Sequence, residues 1–268
     1  MIRFFLNSNK LLAAVFLISV ASKLNAQVNI FPTPEKPPVN VGGKAQLDHI
    51  IKTQLYISPN YIWKEEKNVT IFFTVTKEGK VLDPFLKEKQ DAFYENECRR
   101  MLNFFIYEPA KQGLVNVDAF GSLTINFSGP KYDESVKERK KMKKLLTKAQ
   151  DSTFTIYEVA DKSPEFYKGD EELPAFILEN IEYPNVAKTQ NIEGTVMLSF
   201  IVEANGYVSN VKAHKTVNGG CTEEAIRVAL LTKWKPAEKN GKYVRYKVTY
   251  PITFNLKNVN KDNSASGQ

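Results

Sequence analysis

From Thr195 to Val202 the side chains alternate: Val196, Leu198, Phe200 and Val202 face one way, Met197, Ser199 and Ile201 the other. That period of two predicts a strand with one buried face. Asn205-Gly206 follows with turn chemistry and leads into a second extended run, Tyr207 to Ala213, so the pair reads as a hairpin. A longer alternation closes the chain, with Val244, Tyr246, Val248, Tyr250, Ile252 and Phe254 in one phase and Arg245, Lys247, Thr249, Pro251 and Thr253 in the other. Pro251 has no N–H to give a ladder, which puts this strand at a sheet edge. Between hairpin and last strand, Ala225, Ile226, Ala229 and Leu230 recur at helical spacing behind Thr222 as N-cap, with Glu223 and Glu224 at the positive end of the helix. Upstream, Asp170 reads as the cap of a helix beginning at Glu171, and Tyr183-Pro184 stops it.

The same pattern occurs earlier in the chain. Val69 to Val81 matches Val196 to Val208, Tyr107-Glu108-Pro109-Ala110 matches Trp234-Lys235-Pro236-Ala237, and Ile125-Asn126-Phe127 matches Ile252-Thr253-Phe254, all at a spacing of 127 residues. Three blocks with one offset predict two copies of a module, over residues 28–128 and 153–257, each running helix, strand, strand, helix, strand. The expected class is α+β, each copy a three-stranded antiparallel sheet packed against helices.

Charge changes the picture of the linker. Of the 37 Lys and Arg and 30 Asp and Glu in the 268 residues, both copies carry equal numbers of each sign, so the net +7 arises in residues 1–26 and 129–152. A basic excess of that origin argues against nucleic acid as a partner, which needs a positive patch on a folded surface. The Lys-rich stretch Val136 to Lys148 within the basic linker reads either as a short helix or as a solvated spacer, with attraction to anionic lipid or cell-wall polymer as the sharper alternative. Residues 258–268 read as a disordered tail. At the start, Arg3 and Lys10, the apolar run Leu11 to Val20 and Leu24-Asn25-Ala26 before Gln27 predict an export signal over residues 1–26. Export implies a periplasmic protein, or an inner-membrane anchor if the segment stays uncleaved, and membrane contact only there or through the basic linker.

These residues resemble the C-terminal domain of TonB, the periplasmic energy transducer. The later copy carries Tyr183-Pro184-x-x-Ala187, Gly194-Thr195-Val196, Asn205-Gly206-x-Val208, Glu224-Ala225, Trp234-x-Pro236 and Pro251-Ile252-x-Phe254. The earlier copy keeps Gly79, Val81, Tyr107, Pro109 and Phe127, but its Tyr-Pro helix stop is altered and no Gly opens its hairpin. The resemblance implies a domain that grips an extended segment of an outer-membrane TonB-dependent transporter as an added strand. Glu182, Tyr183, Lys242, Val244, Arg245, Tyr246, Lys247 and Val248 are then the expected partner-binding residues, on an open margin over Lys242 to Thr253. A Gln stands before the Tyr-Pro pair in the family. Glu182 here favours a partner with Lys or Arg, or a local salt bridge to Arg245 or Lys247.

No enzyme, cofactor or metal is expected. His49 and His214 are isolated, no phosphate loop or nucleophile elbow occurs, Cys98 falls in an apolar stripe, and Cys221 precedes a helix where a thiolate has a favourable field. Two cysteines in different halves leave an inter-half disulfide open. The family's transducers keep a Ser and a His in their anchor and a long Pro-rich spacer. The apolar segment here has no His, and Phe31 to Pro38 spans at most roughly 25–30 Å extended. A soluble periplasmic adaptor without energy transduction is therefore an alternative to a role in transport. A cell-wall or carbohydrate-binding module, or an exported enzyme, is a weaker one, because the aromatic residues fall on the core-facing phase and no paired carboxylates stand out.

Overall fold

The computed structural model describes residues 30–61 and 66–259, so the export signal and residues 260–268 of the tail lie outside the described residues. Contacts divide the described residues into two units, the first gathering residues 30–40, 68–102 and 106–126, the second 41–61, 66–67, 103–105 and 127–259. Both are mixed α and β.

In the first unit, strands β2 (Lys67–Val75), β3 (Val81–Leu86) and β7 (Ala119–Phe127) form a sheet in the order β3-β2-β7. Short strands β1 (Val39–Asn40) and β4 (Tyr107–Glu108) pair with each other, as do β5 (Ala110–Gln112) and β6 (Val115–Val117). Helix α2 (Ala92–Leu102) buries Tyr94, Cys98 and Met101, while Ile71, Phe73, Leu123 and Ile125 are buried on the strands. Each large apolar side chain so buried contributes about 1.5–3 kcal/mol. Gly79 turns the β2–β3 hairpin at φ 82°, and a Cβ there would lie 2.6 Å from the Tyr107 carbonyl oxygen, so only glycine fits.

The second unit is built on β10 (Gly194–Val202), β11 (Val208–Lys215) and β14 (Lys242–Phe254), with β10 central and antiparallel to both neighbours. Its turn glycine, Gly206 at φ 83°, lies against the Trp234 carbonyl, the same device 127 positions on. Helix α6 (Cys221–Leu231) follows Gly220 at φ 90°. Thr222 is not its cap: its hydroxyl donates back to the Val217 carbonyl at 2.9 Å. Asp170 likewise accepts from the Phe166 N–H at 2.7 Å and caps nothing; a 3₁₀ turn over Asp170–Glu172 leads into α4 (Leu173–Asn180), and Pro184 precedes α5 (Asn185–Thr189). Val196, Leu198 and Phe200 from β10, Ala225 and Ala229 from α6, and Trp234 share one core. Trp234, from β12 (Trp234–Lys235), reaches Thr232 Oγ1 with its indole N–H at 2.8 Å, which lets a polar-tipped ring sit fully inside.

Two helices join this unit from earlier sequence. Helix α1 (Gly43–Gln54), which lies 127 positions before the Asp170 turn and α4, packs on β11. The basic linker forms α3 (Gly129–Lys143), with Ser135 and Met142 buried and Arg139 Nη1 donating to the Thr53 and Leu55 carbonyls at 3.3 and 2.8 Å. Those carbonyls are orphans of the α1 C-terminus, which explains why a Lys-rich segment of low apolar content is held as helix. The tail begins in a short α7 (Leu256–Val259).

Candidate functional site

The sheet of the second unit has five strands where three antiparallel ones were expected, because β13 (Ala237–Lys239) and the parallel β8 (Ile156–Tyr157) both pair with the first half of the long β14, and backbone parity says which groups its β11 and β14 margins present. The Glu203 N–H donates to the Tyr207 carbonyl at 2.8 Å, so odd-numbered groups of β10 face β11 and even-numbered ones face β14. The register pairs Val196 with Ile252 and Phe200 with Val248 without a shift, so even-numbered groups of β14 face inward and odd-numbered ones outward. Tyr243 agrees: its N–H donates outward to the Ala149 carbonyl at 2.9 Å, and its carbonyl accepts from Asp151 N–H at 2.8 Å.

The outward side of β14 is in two parts. Along its first half it is taken, by the Gln150 bridge at Tyr243 and by β8 (Ile156–Tyr157), parallel to Arg245 and Tyr246, while β13 (Ala237–Lys239) pairs with Lys242, Tyr243 and Val244. The parallel bridge at Tyr246 uses the flanking Arg245 carbonyl and Lys247 N–H. Beyond it, among the described residues, no strand covers the outward carbonyls of Lys247, Thr249, Pro251 and Thr253 or the N–H groups of Thr249 and Thr253. Pro251 points its missing donor outward, where no ladder bond is lost, so the sequence expectation for it holds at this position.

This narrows the margin expected over Lys242 to Thr253. Val244 is buried and paired, Lys242 closes the β13–β14 turn, and Arg245 is 5% exposed, with Nε 2.7 Å and Nη2 3.0 Å from the Glu203 carboxylate. The Arg245 Nη1 donates to the Asn103 and Phe154 carbonyls at 3.1 and 2.9 Å, Phe104 lies under the guanidinium, and the Ser209 hydroxyl donates to Glu203. Four hydrogen bonds from the guanidinium, two into one carboxylate and two into carbonyls, satisfy a charge that could not otherwise be buried. Tyr246 donates to the Glu158 carbonyl at 2.7 Å and Lys247 to the Glu158 carboxylate at 2.8 Å; Val248 packs on the core. Glu182 therefore pairs with neither Arg245 nor Lys247. Its exposed carboxylate lies 4.0 Å from Arg227, and its backbone N–H donates to Glu224 at 2.6 Å. Tyr183 stacks edge-on against Phe254 and donates to the Ile192 carbonyl at 2.6 Å, a packing role.

The other margin, β11, is met by side chains of α1 along its first half. The Val211 N–H donates to Oε1 of the fully buried Gln46 at 3.1 Å. His49 of the same helix bonds to the Val208 carbonyl, and burial with the Lys52 charge nearby holds its pKa down at about 4, so it sits there neutral. A register shift between Ser199 and Ile201 turns Asn210 to φ 52°, and its amide donates to the Phe104 carbonyl at 2.8 Å. Sequence reasoning treated His49 as isolated; its spacing of three from Gln46 on one helix face was the available signal.

The remaining chemistry is sparse. Both thiols are free and buried, and burial pushes the Cys98 pKa up to about 12 and that of Cys221 upward, so the helix start does not yield a thiolate. A cleft between α4 and the sheet is lined by apolar residues such as Leu173, Ile177 and Trp234, with Tyr250 bringing the ionisable group. Among the described residues no group of His, Cys, Asp and Glu is placed to hold a metal, and no helix is long and apolar enough to cross a membrane.

Comparison with known proteins bears on the second unit. Two NMR solution structures of the Helicobacter pylori TonB C-terminal domain are similar to this chain, one at 26% identity over 32% of this chain and 78% of that one, the other at 25% identity over 32% and 92%, both with a TM-score of 0.25. A search of curated proteins returns no match. The model of the family described as Gram-negative bacterial TonB protein C-terminal matches residues 179–256, so the stretch that spans α5, the β10–β11 hairpin, α6 and the whole of β14 is similar to that family.

Proposed function

We propose that this protein is a non-enzymatic, exported TonB-like protein that takes an extended segment of a partner, in the first place an outer-membrane TonB-dependent transporter, as an added strand along β14 from Lys247 to Thr253. The observation that carries the reading is the run of outward backbone groups that no strand covers there among the described residues, while the first half of that strand is taken and helix α1 meets the opposite margin at Val208 and Val211. Unpaired N–H and C=O groups give such a strand its affinity, and alternate side chains its selectivity. Glu182, exposed beside the Phe254 end of the strand, favours a partner with a basic residue. The 127-residue spacing and the shared glycine device support reading the two sheets as copies of one module.

Thr249→Pro tests it. The substitution removes an outward N–H and leaves the β10 side of the ladder intact, as Pro251 already does. Wild-type chain from Gln27 onward is expected to be retained by immobilised N-terminal transporter peptides and the variant to be lost at least tenfold, with unchanged circular dichroism. Equal retention would sink the reading. Whether the protein also transduces energy is decided by the mass of the N-terminus in native material, since a free end at Gln27 leaves no route for force from a membrane motor.

A further inference from the structure

We infer that the solvent face of α3 is an electrostatic docking surface for anionic phospholipid. Lys137, Lys140, Lys141 and Lys144 follow one another at helical spacing and are exposed, and Lys144 keeps helical geometry at the C-cap, with φ −65° and ψ −22°. At 100° per residue the four fall within an arc of about 100°, on the side opposite Ser135 and Met142. Arg139 pins the buried side to the α1 C-terminus through its bonds to Thr53 and Leu55, so the stripe is held in place instead of swinging on a coil.

Two other lysines on the same segment have carboxylate partners: Lys131 reaches Glu66 at 3.4 Å and Lys148 reaches Glu238 at 2.5 Å, while Glu138 of the helix takes Lys52 at 3.0 Å; Lys143 is exposed beside the stripe. Among the described residues no carboxylate lies within ion-pair distance of the four stripe lysines. Asp133 and Glu134 stand a turn back toward the N-terminus, which confines the positive field to the last two turns of the helix. Both sheet copies are charge-neutral, so this helix carries the local excess.

Chemistry selects the occupant. Nucleic acid is gripped by guanidinium forks and by aromatic rings that stack on bases, and the stripe has neither. Lysines are hydrated point charges on flexible stems, suited to a diffuse layer of phosphate headgroups. Leu145, 48% exposed at the end of the stripe, supplies an apolar side chain at the depth where headgroups meet acyl chains. The inference is independent of the β14 margin, which lies on other elements.

The test is partition of the chain from Gln27 onward, which contains every described residue, onto phosphatidylcholine vesicles with and without phosphatidylglycerol. Binding is expected to require the anionic lipid and to fall steeply with added salt. Replacing Lys137, Lys140, Lys141 and Lys144 together by Gln should lower the partition coefficient by about a hundredfold or more, and replacing all four by Arg should preserve it. Lys131→Gln and Lys148→Gln, at the paired positions, should change it little. Binding that persists in high salt, equal partition of wild type and the Gln variant, or retention on duplex DNA with none on anionic vesicles would each overturn it; the salt series needs no variant to fold.

Discussion

The two margins of the second sheet offer the same backbone chemistry and meet different fates. On the first half of β11, a buried glutamine and a neutral histidine take up groups at Val211 and Val208 that would otherwise invite a strand. On β14, the two-residue strap β8 and a buried arginine take up the first half, and the second half carries Thr249, Pro251 and Thr253 with no strand on their outward side among the described residues. An open sheet margin is an aggregation hazard that proteins usually suppress. A chain that commits buried polar groups to the first half of one margin, and leaves the second half of the other with a proline whose missing donor costs no ladder bond, separates a stretch kept shut from a stretch kept available.

The sharpest way to break that contrast is to remove the strap. Arg245 holds Glu203, Asn103 and Phe154 together, so Arg245→Ala leaves a buried carboxylate without its partner and should cost about 3–5 kcal/mol in denaturant unfolding. A loss below about 1 kcal/mol would mean that the pair does not hold the strap. Next in size is an acid dependence at the closed margin. His49 has a pKa of about 4 in the fold against 6.5 unperturbed. Above pH 6.5 both states are neutral and His49 contributes no slope. Below it the unfolded chain takes a proton that the folded chain refuses, so stability falls as pH drops toward 4, by on the order of 3 kcal/mol, and levels off beneath that. Stability measured against pH should show this fall in wild type and a smaller one in His49→Gln. Identical slopes would place the histidine in water.

How far the sequence foretold this depends on the range over which each signal acts. The hairpin, α6 and the closing strand follow from local periodicity, and Gly79 and Gly206 from turn chemistry, because those constraints lie within a few residues. Parity was also implicit, since Pro251 fixes which phase of β14 can lose a donor. What stayed hidden was long-range. Arg245 reads as one more solvent-facing residue of an alternating strand until Glu203, Asn103 and Phe154 surround it. Helix α1 reads as part of the earlier copy, and only its contacts place it on β11. The caps predicted at Asp170 and Thr222 failed because each side chain found a tertiary or turn partner that suits it better than the helix start.

The smallest of these effects sharpens the contrast most. Gln46→Ala removes the acceptor for the Val211 N–H from a site with no access to water, which should cost about 1–3 kcal/mol, less than loss of the Arg245 strap. Its second consequence is topological. With Gln46 gone, part of the β11 margin regains a free donor in a sheet whose other margin is already open, so two chains acquire complementary edges and can pair head to tail. Sedimentation at rising concentration should then show open-ended self-association in Gln46→Ala and none in the double variant with Thr249→Pro, which withdraws a donor from the β14 side. A variant that loses stability yet stays monomeric at all concentrations would show that α1 as a whole, and not the Gln46 bond, keeps that margin closed.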